Sequence, residues 1–395
     1  MSTPIKKVLH VLIIPSWYPE YEGDYVGSFF REQALALAKR DCKVGIIFPQ
    51  LKSLRGLKKV RLFFKYDYQL DEILPTHRIL WSNWFIKMRK VQIKVFTFLG
   101  IYLFKKYVKK HGIPDIIHCH SIFNAGYLGE RISKKYNIPF LLTEHNSGFY
   151  YKNQGLQKYY QDVVRITNSA KLCLTVSSEY AKFLQNEIPN NIKWKTHNNL
   201  VADLFLNRKI LNDNINEFVF VSISRLQEIK NIQLQIKAFK LLSDDLKNIK
   251  LKIIGTGNER KKLEDLVNKL GLNNQVYFLG KQSRKDIVKH LNQSNVLIHT
   301  SKFETFGVIF VEALAMGKPV ITTDCGGSSD VINDTVGIIT PQEDISELYK
   351  NMKKIYLEID NYPPETLRNY CKNNFSEEIL SHKLLKHFEK ILKFE

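Results

Sequence analysis

The sequence has little cysteine and no long apolar run. Its five cysteines are odd in number, far apart and without a Cys-x-x-Cys pair: Cys42, Cys119, Cys173, Cys325 and Cys371. This spacing argues against a disulfide framework or a zinc site and fits reduced thiols in a cytosol. The apolar N-terminal run leads into Trp17 and Tyr18 instead of a small-residue cleavage site, which favours a first strand over a signal peptide. The longest apolar run elsewhere, Val95–Phe104, has ten residues and is too short to span a bilayer.

Acidic residues are also scarce. Of 395 residues, 59 are Lys or Arg and 39 are Asp or Glu, which gives a net charge of +20. Residues 51–112 hold fifteen bases and three acids, so +12 falls in one window where Phe, Tyr and Trp interleave with the bases. Such a window is typical of a surface that contacts anionic membrane, although nucleic-acid binding or a core helix with a basic outer face would have the same composition. We expect membrane contact through 51–112, no nucleic-acid partner, and a cytoplasmic protein at the inner face of the cell membrane.

Signatures of two ligand classes are missing. The segment Gly255-Thr256-Gly257 lacks the third glycine of a dinucleotide-binding loop, because Arg260 stands in that place, so a nicotinamide enzyme is not expected. No Asp-x-Asp pair is present to hold a metal ion. We therefore expect no cofactor and no metal site.

Short apolar strands alternate with helical stretches along the chain, which predicts the α/β class. The first series begins with a strand at Val8–Pro15, a helix for which Ser28 is the expected N-cap, and a strand at Lys43–Phe48. A polar, Asn-rich segment, 208–216, separates it from a second series. We expect two Rossmann-like domains at 1–207 and 208–375 and a final helical segment at 376–395.

The chain is organised around Lys302–Thr323. A polar loop runs into the apolar helix Val308–Met316, Gly317 ends that helix, and a short strand follows. Gly307 allows the backbone to approach a ligand closely, and the N–H groups and positive dipole end of the first helical turn favour phosphate. Phe306, Gly307 and Val308 are therefore candidate donor-binding residues.

Two glutamates, Glu304 and Glu312, flank this turn. Glu312 lies inside an otherwise apolar helix, where an unpaired carboxylate would be costly, so it requires a hydroxyl or cationic partner. A two-carboxylate glycosidase is a rival interpretation. Eight helical residues would separate the two Cα atoms by ~12 Å, longer than the roughly 5–9.5 Å between the carboxyl groups of glycosidases, which disfavours this rival.

Further candidates follow other strands, where ligands bind in open α/β sheets. His145 follows the buried strand Phe140–Thr143, and Gly27 directly precedes the first helix. Arg225 and Lys230 follow the strand Glu217–Ile223 and suit a diphosphate, since Arg gives a forked contact and Lys a point charge.

These motifs resemble the E-x7-E signature of the family 4 glycosyltransferases. Glu304 is followed by Phe-Gly, and Glu312 begins the pattern EA-x-A-x-G-x-PV. Arg225 and Lys230 match the family's G-R-L-x-x-x-K-G pattern with Ser224 and Asn231 in place of its glycines. Two further loops match as well. Cys325-Gly326-Gly327 followed by Asp330 resembles the family's Gly-Gly-x-x-Glu loop with Asp in place of Glu, and His145 matches the family's histidine after the same strand.

The resemblance implies a retaining enzyme of the GT-B fold, in which two Rossmann-like domains face across a cleft and a C-terminal helix crosses back to the first. It also implies a UDP- or GDP-sugar donor and a glycan or lipid-linked acceptor, as in bacterial cell-surface polysaccharide or lipopolysaccharide synthesis. By the same resemblance Glu304 meets the donor-sugar hydroxyls, Glu312 the ribose and His145 the reacting face, with the base near Gly280 and Lys281. Two rivals remain: a non-catalytic basic protein that binds membrane or nucleic acid, and a phosphorylase, which needs a pyridoxal-bearing lysine.

Overall fold

The computed structural model describes residues 8–393, except 22, 25, 54–63, 85–87, 151–154, 189–192 and 211–216. The chain forms two units. The first comprises Met1–Val176, Ala181–His197 and Ser381–Glu395, and the second comprises Ser177–Tyr180 and Asn198–Leu380. The second unit thus begins before the expected boundary at 207/208, because Val201 N–H donates to the carbonyl of Phe375, 2.8 Å away in the same unit. Most of the expected linker, 211–216, lies outside the described residues.

The first unit is built on an eight-stranded sheet in the order β3-β4-β2-β1-β5-β6-β7-β8. All neighbouring strands are parallel except the antiparallel pair β3 and β4. The strands are β1 Leu9–Pro15, β2 Cys42–Ser53, β3 Phe64–Asp71, β4 Leu74–Asn83, β5 Ile116–His120, β6 Phe140–Glu144, β7 Leu172–Thr175 and β8 Trp194–Thr196.

The helices in this part of the sequence are α1 Ser28–Ala38, α2 Arg89–His111, α3 Tyr127–Tyr136, α4 Ser147–Tyr150, α5 Tyr160–Ser169 and α6 Ser178–Glu187. Gly27, with φ 74°, and not Ser28, is the N-cap of α1. Ser28 was the wrong choice because the left-handed backbone that turns the chain into the helix falls one residue earlier, where only glycine avoids steric strain.

The second unit is built on an all-parallel six-stranded sheet in the order β11-β10-β9-β12-β13-β14. Its strands are β9 Phe218–Ile223, β10 Ile249–Ile254, β11 Val276–Gly280, β12 Val296–His299, β13 Val320–Thr323 and β14 Gly337–Thr340. The helices that follow are α7 Asp203–Leu206, α8 Ile232–Asp245, α9 Arg260–Lys269, α10 Arg284–Asn292, α11 Val308–Ala315, α12 Ile345–Leu357, α13 Pro364–Phe375 and α14 Glu377–Lys393. Most of α14 belongs to the first unit, where Phe388 packs edge-on against His118 at 5.9 Å between ring centroids.

The basic window 51–112 is divided among several elements of the first unit, and the expected membrane contact stays a prediction. It contains the hairpin β3–β4 and the core helix α2, whose buried side includes Ile93, Phe96, Leu99, Leu103 and Tyr107. The basic residues at 54–63 and 85–87 lie outside the described residues. Within the described part of the chain, no helix is both long and apolar enough to cross a membrane.

Candidate functional site

The carboxyl ends of β9 and β12 are the natural ligand-binding edge of the second unit. These two strands are neighbours, and the chain proceeds from β9 to β10 on one side of them while β13 follows β12 on the other. Ligands in open α/β sheets bind where the strand order reverses in this way. Lys230 ends the short turn after β9, and Glu304 stands in the loop after β12. The topology therefore brings together two residues that the sequence singled out separately.

Glu304 forms an ion pair with Lys230, in which Lys230 Nζ donates to Glu304 Oε1. His299, the last residue of β12, lies on the same oxygen, with its Nε2 atom 2.9 Å away. Only 17% of each side chain of the Glu304–Lys230 pair is exposed. Burial alone would raise the pKa of Glu304, but the charge of Lys230 and the hydrogen bond from His299 reverse this effect and hold the pKa at about 2. Glu304 is thus a largely buried carboxylate that stays ionised.

The backbone of Glu304 is fixed by the loop after β13. Its N–H donates to the carbonyl of Cys325 at 2.7 Å, and its own carbonyl accepts the N–H of Gly327 at 2.9 Å. A side chain at Gly327 would place its Cβ only 2.6 Å from the backbone N of Phe306. Gly327 is therefore explained by close packing of this loop against the one that carries Glu304, and Gly326 by its φ of 90°.

The N-terminus of α11 adjoins Glu304 in the chain. Gly307 is its N-cap, with φ 85°. The first N–H groups of any helix lack partners within the helix, so this end presents donors and the positive dipole pole. The ring of Phe306 is buried, 1% exposed, and packs on Phe375, so Phe306 can offer a ligand only its backbone. Val308 is half-buried at the first turn.

Glu312 has the cationic partner that its sequence context required, and this partner is Arg284. Their Nη2 and Oε1 atoms are 3.0 Å apart, with the side chains 13% and 8% exposed. Burial raises the pKa of Glu312, and the charge of Arg284 opposes the rise. The guanidinium lies over the ring of Phe205 at 5.2 Å from the centroid. Sequence reasoning missed Arg284, although Ser283 and Asp286 mark the start of its helix, where Ser283 Oγ accepts the N–H of Asp286.

Arg225 is exposed in the turn that follows β9. Two glycines support this turn: a Cβ at Gly255 would lie 1.8 Å from the carbonyl oxygen of Ser224, and one at Gly257 would lie 2.0 Å from that of Leu226. The Gly-x-Gly segment therefore packs one loop against another, which explains its glycines without a dinucleotide.

In the first unit, His145 lies just after β6 and is 8% exposed. Its Nε2 atom is 3.1 Å from Nδ1 of His120, the last residue of the adjacent strand β5. Burial, followed by the charges of neighbouring histidines, holds the pKa of His145 well below its usual value, so the ring is neutral at pH 7. Glu144 does not compete for this role, because its carboxylate accepts the backbone N–H groups of Ile122, His145 and Asn146 at 2.7–2.8 Å.

Gly27 and His145 are brought close by helix α1. The rings of Phe29 and Phe30, in the first turn of α1, lie 5.3 and 4.8 Å from the His145 ring. A Cβ at Gly27 would lie 2.9 Å from the carbonyl oxygen of Trp17, so glycine is required by space as well as by its φ of 74°. The structure thus places Gly27 and His145 together in the first unit and the other candidate residues in the second.

A pocket of about 310 Å³ opens beside this group within the first unit. Asn124, which follows β5, has φ 67° and ψ −76°, close to the rare and strained γ-turn conformation. Ser16, which follows β1, holds this turn by donating from Oγ to the carbonyl of Phe123 at 2.6 Å and accepting the N–H of Ala125. The lining combines carboxylates, amides and aromatic rings: Glu20, Asp24, Gln50, Asn124, Trp17 and Phe96. Amide and carboxylate groups beside aromatic rings suit a hydroxylated ligand.

Among the described residues, no group of three or more His, Cys, Asp or Glu side chains is arranged to hold a metal ion. The histidines at the carboxyl ends of β5 and β6, His118, His120 and His145, are buried against one another and against aromatic rings.

Two family models match the chain over these units. The Glycosyltransferase Family 4 model matches residues 26–194, and the Glycosyl transferases group 1 model matches residues 205–376. The chain belongs to the family 4 glycosyltransferases. The family expected from the E-x7-E segment is therefore confirmed.

Relatives of this glycosyltransferase match over most of its length. The capsular polysaccharide biosynthesis glycosyltransferase CapM of Staphylococcus aureus is 24% identical, with 98% of each chain covered. A solved sucrose-phosphate synthase from Thermosynechococcus elongatus has a TM-score of 0.76 at 17% identity, covering 98% of this chain and 100% of the other. The Anabaena protein HepE in complex with UDP has a TM-score of 0.73 at 19% identity, covering 97% and 100%. The GT-B fold is confirmed.

Proposed function

We propose that this glycosyltransferase is a retaining enzyme that moves a hexose from a nucleotide-diphosphate sugar to a glycan or lipid-linked acceptor in cell-surface polysaccharide or lipopolysaccharide synthesis. The observation that carries the proposal is the ionised Glu304, held by Lys230 at the strand-order reversal and next to the N-terminus of α11. A fixed, charged carboxylate suits the hydroxyls of a sugar, and the neighbouring lysine and helix N-terminus suit phosphate. Together they fit a sugar diphosphate better than the carboxylate or the phosphate-binding groups would alone.

In the proposed reaction, the bond between the anomeric carbon and the β-phosphate oxygen breaks as the acceptor oxygen bonds to the same face of that carbon. The acceptor proton passes to the departing phosphate oxygen. Lys230, Arg225 and the N–H groups after Gly307 stabilise the negative charge that develops on the phosphate, which is often the largest contribution to catalysis. Glu304 accepts hydrogen bonds from the donor-sugar hydroxyls and so fixes the sugar for attack.

The remaining candidates have supporting roles in this proposal. Glu312 accepts the ribose hydroxyls, and the charge of Arg284 opposes the effect of burial on its pKa. This position is consistent with the Gly280–Lys281 loop proposed for the base, since Arg284 begins the helix that follows that loop. His145, neutral at pH 7, offers a hydrogen bond to the sugar at the reacting face. The pocket that contains Asn124 receives the acceptor, as its amide and aromatic lining suits a saccharide.

Two relatives support the substrate classes. The Anabaena protein HepE was solved with UDP-glucose as well as with UDP, which favours UDP as the nucleotide of this chain. The function of CapM in capsular polysaccharide synthesis favours a cell-surface glycan as the product. We place the enzyme in the cytoplasm, at the inner face of the cell membrane, where lipid-linked acceptors are presented.

The test is a thermal-shift screen of the purified protein against UDP, GDP, ADP and CMP and their common sugars, because selective binding raises the melting temperature by mass action. We expect a shift with UDP and its sugars. The nucleotide found is then used with candidate acceptors, and the anomeric configuration of the product is compared with that of the donor by NMR. An inverted product would overturn the retaining mechanism. Absence of any shift in a folded sample would favour the non-catalytic rival.

A further inference from the structure

We propose that the outer face of α2 and the adjoining edge of β3 dock on the surface of an anionic membrane. The inference deepens the proposed function, on which it rests for the identity of the lipid-linked acceptor. The proposed surface is a small part of the basic window 51–112. Most of the other described residues of that window lie in the sheet or in the core.

Helix α2 has two distinct faces. It contains seven Lys or Arg residues and no Asp or Glu. Its inner face is buried against the sheet, whereas Lys94, Phe98 and Tyr102 follow one another at helical spacing on the outer face. Phe98 is 74% exposed and Tyr102 is 38% exposed. The exposed Lys105 and Lys109 extend the stripe toward the end of the helix.

The edge strand β3 adds aromatic rings to the same surface. Its alternate residues Phe64, Tyr66 and Tyr68 share one side of the strand, which faces α2. Phe64, 57% exposed, lies 6.5 Å from the Tyr102 ring, and Lys106 Nζ lies 5.8 Å from the centroid of Tyr66. The surface is thus a strip of exposed aromatic rings between lysines at both ends of the helix.

The three acids of the 51–112 window do not neutralise this strip. Asp67 lies on the opposite side of β3, since it stands one residue from Tyr66 and Tyr68. Asp71 and Glu72, at the far end of the hairpin, are engaged by Arg31 at 2.7 and 2.8 Å. The positive charge of α2 is therefore available to an anionic partner.

Exposed aromatic rings flanked by lysines match the chemistry of a membrane interface. The rings enter the boundary between headgroups and acyl chains while the lysines meet anionic headgroups. One exposed face of a helix suits a flat surface, whereas proteins that bind single-stranded nucleic acid place their aromatic rings in a groove. Gln92 and Phe96, on the inner side of α2, line the pocket proposed for the acceptor. Docking through the outer face of α2 would therefore hold that pocket one helix diameter, roughly 10 Å, from the lipid surface.

The test is co-sedimentation of the full chain with vesicles of phosphatidylcholine alone or of equal parts phosphatidylcholine and phosphatidylglycerol. We expect binding only to the anionic vesicles and weakening of that binding by salt. The triple variant Lys94→Gln, Lys105→Gln, Lys109→Gln is expected to bind about a hundredfold more weakly, from about fivefold for each lysine. Phe98→Ser is expected to weaken binding about tenfold without changing the salt dependence.

The matched control is Lys237→Gln, Lys261→Gln, Lys269→Gln, which removes the same charge from exposed positions of the second unit and should bind as the wild type does. Thermal unfolding of each variant shows that the fold is kept. Equal loss in both triple variants, or binding that ignores lipid charge, would overturn the proposal, as would tight binding of single-stranded RNA to this surface in place of vesicles. The UDP thermal shift is measured on the same samples. Absence of this shift in the wild type would refute the proposed function. A wild type that shows the UDP shift but does not bind anionic vesicles would refute only the docking surface.

Discussion

Arg284 and Glu312 form an ion pair inside the second unit, with 3.0 Å between Nη2 and Oε1 and little exposure of either side chain. Removing one partner of a buried pair leaves an uncompensated charge, which costs more than the pair itself contributes. We therefore expect Arg284→Ala to lower the free energy of unfolding by about 3 kcal/mol and to raise the KM for the donor more than it lowers kcat. Urea unfolding and steady-state kinetics measure the two effects.

The control for this prediction is Arg260→Ala, which removes the half-exposed pair with Glu264 in the same unit. Such a pair contributes at most about 1 kcal/mol. Glu312→Gln combined with Arg284→Ala should be less destabilising than the sum of the single changes, since no buried charge remains. Additive single and double effects would show that the pair does not act as a unit.

Lys230 keeps Glu304 ionised against the effect of burial. In Lys230→Ala, burial acts with less opposition, so the pKa of Glu304 should rise from about 2 toward or above its ordinary value. In the wild type, Glu304 should stay ionised in mildly acid solution and so cause no loss of kcat/KM. In the variant, protonation of Glu304 should lower kcat/KM as pH falls. A pH profile of kcat/KM for both proteins tests this.

Glu304→Gln removes the charge and keeps the shape. If Glu304 fixes the donor sugar, kcat should fall by roughly 10²-fold or more, while the thermal shift with free UDP is kept because UDP has no sugar for Glu304 to contact. Glu217→Gln is the matched control, since Glu217 pairs with Lys250 at the opposite end of β9. A Glu304→Gln enzyme with near-normal turnover would contradict the assignment.

Buried histidines make the first unit sensitive to acid. Burial lowers the pKa of His118, His120 and His145 well below the ordinary value and that of His197 to about 3. The unfolded chain therefore binds more protons than the folded one below about pH 6.5. The stability that these neutral rings provide is complete above that pH and is lost as pH falls, by roughly 1 kcal/mol for each histidine and pH unit.

Urea unfolding at neutral and mildly acid pH measures this loss. His197→Asn should make stability less dependent on pH, whereas substitution of the exposed His382 should leave the dependence as in the wild type. Equal pH dependence in all three proteins would show that the buried histidines do not control acid unfolding.

The sequence was informative wherever a residue directly follows a strand. Lys230 and Glu304 could each be placed at the ligand-binding edge of a sheet, because each follows a strand and ligands bind at the carboxyl ends of parallel strands. Arg284 could not, because its pairing with Glu312 depends on how helices α10 and α11 pack, which no local pattern encodes. The strained backbone at Asn124 also has no local sequence signal, since its turn is held by Ser16, which is far away in the chain but follows the neighbouring strand β1.

The hairpin β3–β4 was missed for a different reason. Polar Lys65, Asp67 and Gln69 alternate with aromatic Tyr66 and Tyr68, and this period of two is the pattern of a strand. The high local charge of this segment is compatible with a surface function as well as with a strand, so composition alone does not predict the hairpin. Composition describes what a segment can contact, whereas periodicity describes which of its residues are exposed to make that contact.

Gly307 offers a sharp test of the anion site at α11. An alanine there meets two obstacles: a φ of 85°, and a Cβ only 2.3 Å from the ring of Phe310. Gly271 is a matched control in the same unit, with φ 71° but nothing within 4 Å of an added Cβ. The free energy of unfolding of Gly271→Ala should therefore fall only by the cost of the left-handed backbone, about 1–2 kcal/mol. The free energy of unfolding of Gly307→Ala should fall by more than that. This variant should also show a weaker UDP thermal shift, because displacement of Phe310 moves the first turn of α11. If both variants keep the wild-type UDP shift, the helix N-terminus does not bind the diphosphate.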